Sequence, residues 1–193
     1  MLLINVLFAI SPIFGFLPQI YKQRIIYKPY LSLLNIYIAL IHIIDYIHKK
    51  YNKILLYQNV VAIVLHMYLI SLSTNKNYRM TGIIKSIGLV TLGLIILGKS
   101  GFYILFPQCA LLLDVAATYI HYNIYKHDPK RPFELFVVWM IGDFIRVYFY
   151  TAVYKAPFLY ICAVIIQTIF NILTVLMPSQ AKIYSMNISY DEY

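Results

Sequence analysis

The sequence predicts an all-α membrane protein in which seven transmembrane helices form two parallel triple-helix bundles joined by a linker helix. The chain of 193 residues is 62% hydrophobic and only 12% charged, which is unlike the composition of a water-soluble domain. Its apolar runs approach the ~20 residues that a helix needs to cross the hydrocarbon core of a bilayer. The basic residues lie in the short segments between those runs, which is typical of membrane proteins.

Seven apolar runs define the predicted spans. They cover Leu2–Gln19, Leu31–Ile47, Ile54–Leu72, Ile83–Gly98, Phe102–Ile124, Phe133–Val153 and Pro157–Met177. We expect residues 1–75 to form the first triple-helix bundle and residues 76–100 the linker helix. Residues 101–177 then form the second bundle, and residues 178–193 form a cytosolic tail.

The first span ends in the pair Pro18-Gln19, where we expect a kink with a polar lining. Proline deletes one helical hydrogen bond and leaves the carbonyl of Phe14 without its usual donor. Inside a membrane that carbonyl needs another partner, and the Gln19 amide can both donate and accept. The alternative is that Pro18 only ends a helix. Because no charged segment precedes this run, we interpret it as a retained helix and not as a signal peptide.

The fourth run is the shortest and contains four glycines. With so little side-chain bulk, such a helix either packs closely against its neighbours or serves as a connector. The glycines are Gly82, Gly88, Gly93 and Gly98.

The distribution of basic residues predicts the orientation in the membrane. Ten cations follow spans one, three and five or lie in the tail, whereas five follow the other spans. The positive-inside rule then places the C-terminal tail in the cytosol and the N-terminus in the lumen. The first group is Lys22, Arg24, Lys28, Lys76, Arg79, Lys85, Lys126, Lys130, Arg131 and Lys182, and the second is Lys49, Lys50, Lys53, Lys99 and Lys155.

A weak internal repeat supports the two-bundle arrangement. Residues 18–22 (Pro-Gln-Ile-Tyr-Lys) end span one, and residues 122–126 (Tyr-Asn-Ile-Tyr-Lys) end span five. Each is followed by a basic loop with proline and then by two further spans. Two units of three helices separated by a single helix have the same orientation, which is a parallel repeat.

Composition and motifs argue against several other classes of protein. The net charge of +9 comes from cations in loops, and 20 Tyr with 11 Phe suit the interfaces of a bilayer better than base stacking, so no nucleic-acid partner is expected. No histidine pair with metal-ligand spacing, glycine-rich phosphate loop or nucleophile elbow occurs. We therefore predict no catalytic residue, metal or cofactor, and no enzyme. An intramembrane metal hydrolase stays possible only through residues on separate helices.

Polar residues inside the spans are the candidates for a translocation pathway. Asp143 and Arg146 share one helix face, and a charge at mid-membrane is usually paired or faces water. The alternative is that Arg146 snorkels to an interface. Five further polar residues inside the spans could line the same pathway, or each could make a single interhelical hydrogen bond. They are His42, Gln58, Asn59, Asp114 and Gln167.

Several of these residues resemble motifs of the PQ-loop family, whose members have seven helices in two parallel triple-helix bundles. The match is closest to the branch that includes PQ-loop repeat-containing protein 1 and a yeast antagonist of phospholipid flippases. One similar stretch is Leu17-Pro18-Gln19 with the basic turn and Gln58 of residues 49–58. The other is residues 139–143 (Trp-Met-Ile-Gly-Asp), then Arg146, residues 155–157 (Lys-Ala-Pro) and Gln167.

The chain also departs from the family pattern. Tyr122 and Asn123 stand where the second Pro-Gln pair is expected, so that hinge is degenerate. Pro107-Gln108 lies earlier in span five and is a candidate kink. Ala39 and His42 replace the Asn and Arg that the branch has in its second helix.

The resemblance implies a Golgi or endosomal membrane protein that scrambles phospholipids between leaflets without ATP. Taken together, the polar residues and the resemblance give as expected pathway residues Pro18, Gln19, His42, Gln58, Asn59, Asp114, Tyr122, Asn123, Asp143, Arg146 and Gln167. The alternative is a carrier of small polar solutes, such as amino acids or sugars, and a third class is a sorting receptor. A closed central cavity between the two bundles favours the carrier, and a groove open sideways to lipid favours scrambling.

Overall fold

The structure is a computed structural model of the chain, and it describes residues 2–21, 28–73, 80–126 and 133–177. These residues form eight α-helices and no β-strand, so the all-α fold class is as predicted. A 3-10 turn (Phe102–Leu105) precedes the sixth helix, and a π-helical segment (Phe149–Val153) continues the seventh. The helices are α1 (Leu2–Ala9), α2 (Ser11–Tyr21), α3 (Pro29–Lys49), α4 (Lys53–Ser73), α5 (Met80–Lys99), α6 (Phe106–Tyr125), α7 (Phe133–Tyr148) and α8 (Phe158–Leu176).

Six of the helices in the described ranges are long and apolar enough to cross a membrane. They are α3 to α8, of which α6 is extended by its preceding 3-10 turn and α7 by its π-helical segment. The predicted first span, Leu2–Gln19, is divided into α1 and α2, and neither piece alone has the length of a span. The chain is therefore a helical membrane protein with six helices of spanning length.

The interruption of the first span lies at Ile10, not at the Pro18-Gln19 pair. Pro12 follows closely, and proline has no amide hydrogen for the carbonyl of Phe8, four residues earlier. The amide of Ile13 donates instead to the carbonyl of Ile10, at 2.9 Å. The backbone of α2 stays helical through Pro18 to Tyr21. Pro18 does not end its helix, and its role as a hinge stays a prediction.

The distribution of polarity is the reverse of that in a water-soluble protein. Large apolar side chains face outward, among them Leu89, Leu112 and Phe158, which are each about 70% exposed or more. Charged and amide side chains such as Asp45, Gln58 and Asp143 are buried. An apolar surface of this extent is unusual for a soluble monomer and suits contact with lipid.

We refer to α1–α4 as the N-terminal half of the chain and to α6–α8 as the C-terminal half. In each half the last helix packs between the others: α4 contacts α1, α2 and α3, and α8 contacts α6 and α7. The halves meet where α3 contacts α6 and where α2 contacts α7. α5 lies against α3, with a hydrogen bond between the hydroxyls of Tyr37 and Ser86.

The glycines of α5 do not produce the close helix packing that their number suggests. A β-carbon at Gly82, Gly88 or Gly93 would meet no atom within 4 Å. Only Gly98 is closely approached, because a β-carbon there would lie 2.7 Å from the His48 imidazole. Among the glycines of α5, only Gly98 is thus closely approached by a neighbouring helix.

The turns between α3 and α4 and between α7 and α8 meet at one end of the molecule, which we call the turn end. Leu55, Tyr154 and Ala156 pack together there with Phe8 of α1. Lys50 and Lys155 each adopt a left-handed backbone conformation, with φ of 53° and 48°. The two halves thus use a lysine of the same unusual conformation at corresponding turns.

Pro107 begins a helix and does not kink one. It lies in the first turn of α6, where the missing amide hydrogen costs nothing because first-turn amides have no intrahelical acceptor. The expected kink within span five is therefore wrong. The change of geometry occurs earlier, in the 3-10 turn that joins α5 to α6.

Candidate functional site

A cavity of about 320 Å³ lies between the two halves. Every helix except α5 contributes to its lining, and the π-helical segment contributes Tyr150. The lining combines apolar residues such as Phe16 and Ala39 with charged, amide, imidazole and hydroxyl side chains. A space of this size with convergent polar groups is the typical form of a small-molecule site.

Asp143 and Arg146 form an ion pair on the wall made by α7. The guanidinium Nη2 lies 3.2 Å from the Asp143 Oδ1, as expected for charges three residues apart on a helix. The second carboxylate oxygen accepts a hydrogen bond from the Asn171 amide at 2.9 Å. Arg146 also donates to the Gln167 Oε1 at 3.2 Å. These four side chains join α7 to α8, and both charges have partners.

Asp114 on α6 and His42 on α3 face each other across the contact between the two halves. The closest atoms are the Asp114 Oδ2 and the His42 Nε2, 3.8 Å apart, which is too far for a hydrogen bond. The His42 ring packs edge-on against Tyr160, with centroids 4.1 Å apart. Both residues line the cavity.

A second ionic cluster lies near the turn end, around the fully buried Asp45 of α3. Lys49, one turn later, places its Nζ 2.8 Å from the Asp45 Oδ1. The Tyr160 hydroxyl of α8 donates to the other oxygen at 2.6 Å. Burial and the nearby Asp45 carboxylate raise the pKa of Tyr51 above its ordinary value, so that phenol stays neutral. His42 and Asp45, three residues apart in sequence, have different partners.

Gln58 joins three parts of the chain at the cavity wall. Its amide nitrogen donates to the Ser11 hydroxyl at 3.0 Å, and its oxygen accepts from the Tyr150 hydroxyl at 3.0 Å. Tyr150 belongs to the π-helical segment, in which the Tyr154 amide donates to the carbonyl of Phe149, five residues back. A π turn within a longer helix is often found at functional sites.

Trp139 connects α7 to α2 in the cavity wall. Its indole nitrogen donates to the carbonyl of Gly15 at 2.7 Å. A β-carbon at position 15 would lie 3.0 Å from the indole, so any larger residue would require the ring to shift by a few tenths of an ångström. Gly15 lies one residue beyond Phe14, whose carbonyl lacks its usual donor because residue 18 is proline. The indole therefore binds the backbone next to the site that the proline leaves open.

Seven predicted pathway residues line the cavity: His42, Gln58, Asn59, Asp114, Asp143, Arg146 and Gln167. Tyr122 and Asn123 are not part of its lining, and the Tyr122 ring packs against Phe170 with centroids 5.4 Å apart. The side chains of Pro18 and Gln19 lie outside the described residues, although their backbone belongs to α2.

Gly142 of α7 is not a site of close approach by another helix, because a β-carbon there would meet nothing within 4 Å. The position instead opens space in the cavity next to Asp143.

Sequence reasoning missed several residues that build the site. Asn171 follows Gln167 by four residues, so helical spacing places both on one face of α8 and could have identified it. Trp139 belongs to the stretch of residues 139–143 that resembles the family, but no contact was predicted for it. Tyr150 and Tyr160 could not have been found, because no spacing distinguishes them from the other tyrosines.

The described residues contain no group of three His, Cys, Asp or Glu side chains able to hold a metal ion. Comparison of the chain with models of known protein families, with characterised proteins and with solved structures finds no match. The cavity and its contacts are therefore the basis for assigning a function.

Proposed function

We propose that the chain is an ATP-independent carrier of small polar solutes, built on the seven-helix PQ-loop plan with α1 and α2 together as its first helix. The single observation that carries this proposal is the polar cavity between the two halves of the chain. A polar solute cannot enter hydrocarbon cheaply, so its pathway must offer polar groups at membrane depth.

The position of the cavity favours a carrier. Its walls come from both halves, so relative movement of the halves would expose it on alternate sides, as in carriers built from parallel repeats. The contacts of α3 with α6 and of α2 with α7 are the surfaces on which such a movement would occur. We assign residues 1–75 and 101–177 as the two bundles, with α5 as the linker.

Phospholipid scrambling is the second candidate, and one observation favours it. Four residues of the stretch that resembles the flippase-antagonist branch line the same cavity: Trp139, Asp143, Arg146 and Gln167. An ion pair beside two amides can bind a zwitterionic headgroup while the acyl chains stay in lipid. On this reading the partners are membrane phospholipids.

The proposed orientation follows from the cation count in the loops. The C-terminus lies in the cytosol and the N-terminus in the lumen of a Golgi or endosomal membrane. Protease treatment of sealed vesicles containing chains tagged at either end tests this. We expect cleavage of a C-terminal tag and protection of an N-terminal tag; a protected C-terminal tag would contradict the arrangement of two bundles around one linker.

Reconstitution of the purified chain into liposomes distinguishes the two functions. One arm measures uptake of radiolabelled lysine, alanine or glucose into liposomes preloaded with the same unlabelled solute. The other measures dithionite bleaching of a fluorescent phosphatidylcholine, which reports scrambling. Uptake above that of protein-free liposomes without added bleaching supports the carrier, and the reverse supports scrambling. Rates equal to protein-free liposomes in both arms contradict both functions.

A further inference from the structure

The charged side chains that line the cavity include more carboxylates than cations. Its charged side chains are Asp114, Asp143 and Arg146, that is, two carboxylates and one guanidinium. Arg146 is paired with Asp143, whose second oxygen is bound by Asn171. The carboxylate of Asp114 is therefore left without a cationic partner of its own.

The surroundings of Asp114 confirm that its carboxylate is poorly satisfied. The residue is only 9% exposed, and its nearest polar partner is the His42 imidazole at 3.8 Å. The Thr118 hydroxyl, one turn away, donates to the backbone carbonyl of Asp114 and not to its side chain. A buried carboxylate in a low-dielectric site is unfavourable unless a positive charge or hydrogen-bond donors accompany it.

The wall opposite Asp114 is formed by His42 of α3. The Nδ1 of His42 is buried and has no hydrogen-bond partner in the described part of the chain. Its other nitrogen faces Asp114, and its ring is held by Tyr160. A carboxylate without a cationic partner of its own, faced by an imidazole nitrogen at 3.8 Å, makes this part of the cavity a candidate binding site for a cationic group.

We propose that Asp114 is the subsite for a cationic ammonium group of the transported molecule, with His42 and Tyr160 as its neighbouring wall. This inference rests on the proposed role of the cavity as a transport pathway. The ammonium group neutralises Asp114, and the aromatic ring of Tyr160 suits a cation that is removed from water. The ligand class is an ammonium-bearing molecule, either a free solute or the choline or ethanolamine headgroup of a phospholipid.

The accessible part of the Arg146 side chain can bind a negatively charged group of the same molecule. A third of the Arg146 side chain is accessible, in contrast to the almost completely buried Asp143. Asp114 is close enough to act electrostatically on both residues of the pair. A molecule that carries an ammonium group and a carboxylate or phosphate therefore has a partner for each charge within one cavity.

Binding by the purified chain tests the subsite without any transport measurement. We would compare the melting temperature in detergent with choline and with dimethylbutanol, in which carbon replaces the quaternary nitrogen. At roughly 100 times its dissociation constant, choline should raise the melting temperature by about 5–10 °C, whereas the uncharged isostere should not. Asp114→Asn should abolish the shift. Glu134→Gln, which removes an exposed carboxylate outside the cavity, should retain it.

The ligand-free proteins give a second, independent readout. Because Asp114 lacks a cationic partner, Asp114→Asn should leave the melting temperature unchanged or raise it. Asp143→Asn should lower it, because that change breaks an ion pair. Equal destabilisation by the two changes would overturn the proposal, as would choline stabilising the wild type and Asp114→Asn equally. No stabilisation of the wild type by choline, ethanolamine or lysine would overturn it too.

Scrambling assays identify the source of the ammonium group. Faster bleaching of fluorescent phosphatidylcholine than of phosphatidylglycerol, with the difference lost in Asp114→Asn, indicates a lipid headgroup. Choline stabilisation without any scrambling indicates a free solute. Choline stabilisation that depends on Asp114 in a protein inactive in both transport assays would refute the proposed function and retain the subsite.

Discussion

The hydroxyl of Tyr160 donates a hydrogen bond of 2.6 Å to the carboxylate of Asp45, which joins α8 of the C-terminal half to α3 of the N-terminal half. Asp45 is completely buried, and its other oxygen is paired with Lys49. This contact therefore links the two halves beside the cavity, whose lining includes Tyr160. Any movement that separates α8 from α3 at this point must break the hydrogen bond.

Removal of the Tyr160 hydroxyl should destabilise the protein. Tyr160→Phe keeps the ring against His42 but leaves one oxygen of a buried carboxylate without its donor, at a cost of about 1–3 kcal/mol. The measurement is the free energy of unfolding or the melting temperature in detergent. Tyr119→Phe is the matched control, because Tyr119 is half exposed on α6, and its change should stay within about 0.5 kcal/mol. Equal stability of the two variants would show that the hydrogen bond contributes nothing.

The pair Asp143 and Arg146 should behave as one unit in a double-mutant cycle. Arg146→Gln leaves the buried Asp143 carboxylate without its cation and should cost about 3–5 kcal/mol. Asp143→Asn should cost less, since the partly accessible guanidinium can turn towards water in the cavity. The double variant should recover much of the stability and still transport poorly. Stability losses that simply add would mean that the residues do not interact, and normal transport by the double variant would remove them from the pathway.

Filling the space beside Asp143 should block transport without unfolding the protein. Gly142→Leu places a large side chain in the cavity, where a β-carbon meets no atom within 4 Å. The expected result is an unchanged melting temperature with solute uptake or scrambling close to that of protein-free liposomes. Gly88→Leu is the matched control, because Gly88 has similar free space on α5 outside the cavity. Loss of transport in both variants would mean that the effect is not specific to the cavity.

Enlarging Gly15 should displace Trp139. In Gly15→Ala the new methyl group would lie 3.0 Å from the indole, so the hydrogen bond to the Gly15 carbonyl must lengthen or break. The loss of that bond should cost about 1–2 kcal/mol. Trp139 is the only tryptophan of the chain, so intrinsic fluorescence reports its surroundings directly, and the emission should shift. Gly93→Ala, in open space on α5, should leave both stability and emission unchanged, whereas an unchanged spectrum of Gly15→Ala would contradict the contact.

Composition and periodicity predicted the helices well, because each element depends on local properties. The second to seventh predicted spans were placed within a few residues of α3 to α8, since apolar length and loop polarity are readable along the chain. The division of the first span was not predicted, because the interruption was assigned to Pro18 and not to Pro12. Both prolines remove one helical hydrogen bond, and only the packing of the surrounding helices determines where the chain breaks.

Seven of the predicted pathway residues line the cavity, whereas most of the contacts between helices were not predictable. The polarity of Asp143, Arg146 and Gln167 inside apolar runs was sufficient to select them, because such residues are expensive in a membrane. The partners of Asp45 and Gln58 were not predictable, because Tyr160 and Tyr150 lie about 100 residues away in sequence. Contacts across that separation depend on how the two halves meet.

The contact of α1 with the π-helical segment and Tyr154 determines at what point in synthesis the fold can be completed. The Tyr154 hydroxyl donates to the Asn5 side chain at 2.9 Å across 149 residues of sequence, and Phe8 packs on Phe149 and Tyr154. At ribosomal rates of about 5–20 residues per second, these partners emerge roughly 10–30 s after α1 does. Until then the eight-residue helix is held only through its neighbours in the N-terminal half. The first segment synthesised therefore cannot make all its contacts until nearly the last helix has been inserted. In a chain truncated before Tyr154, the contacts of α1 with Tyr154 cannot form.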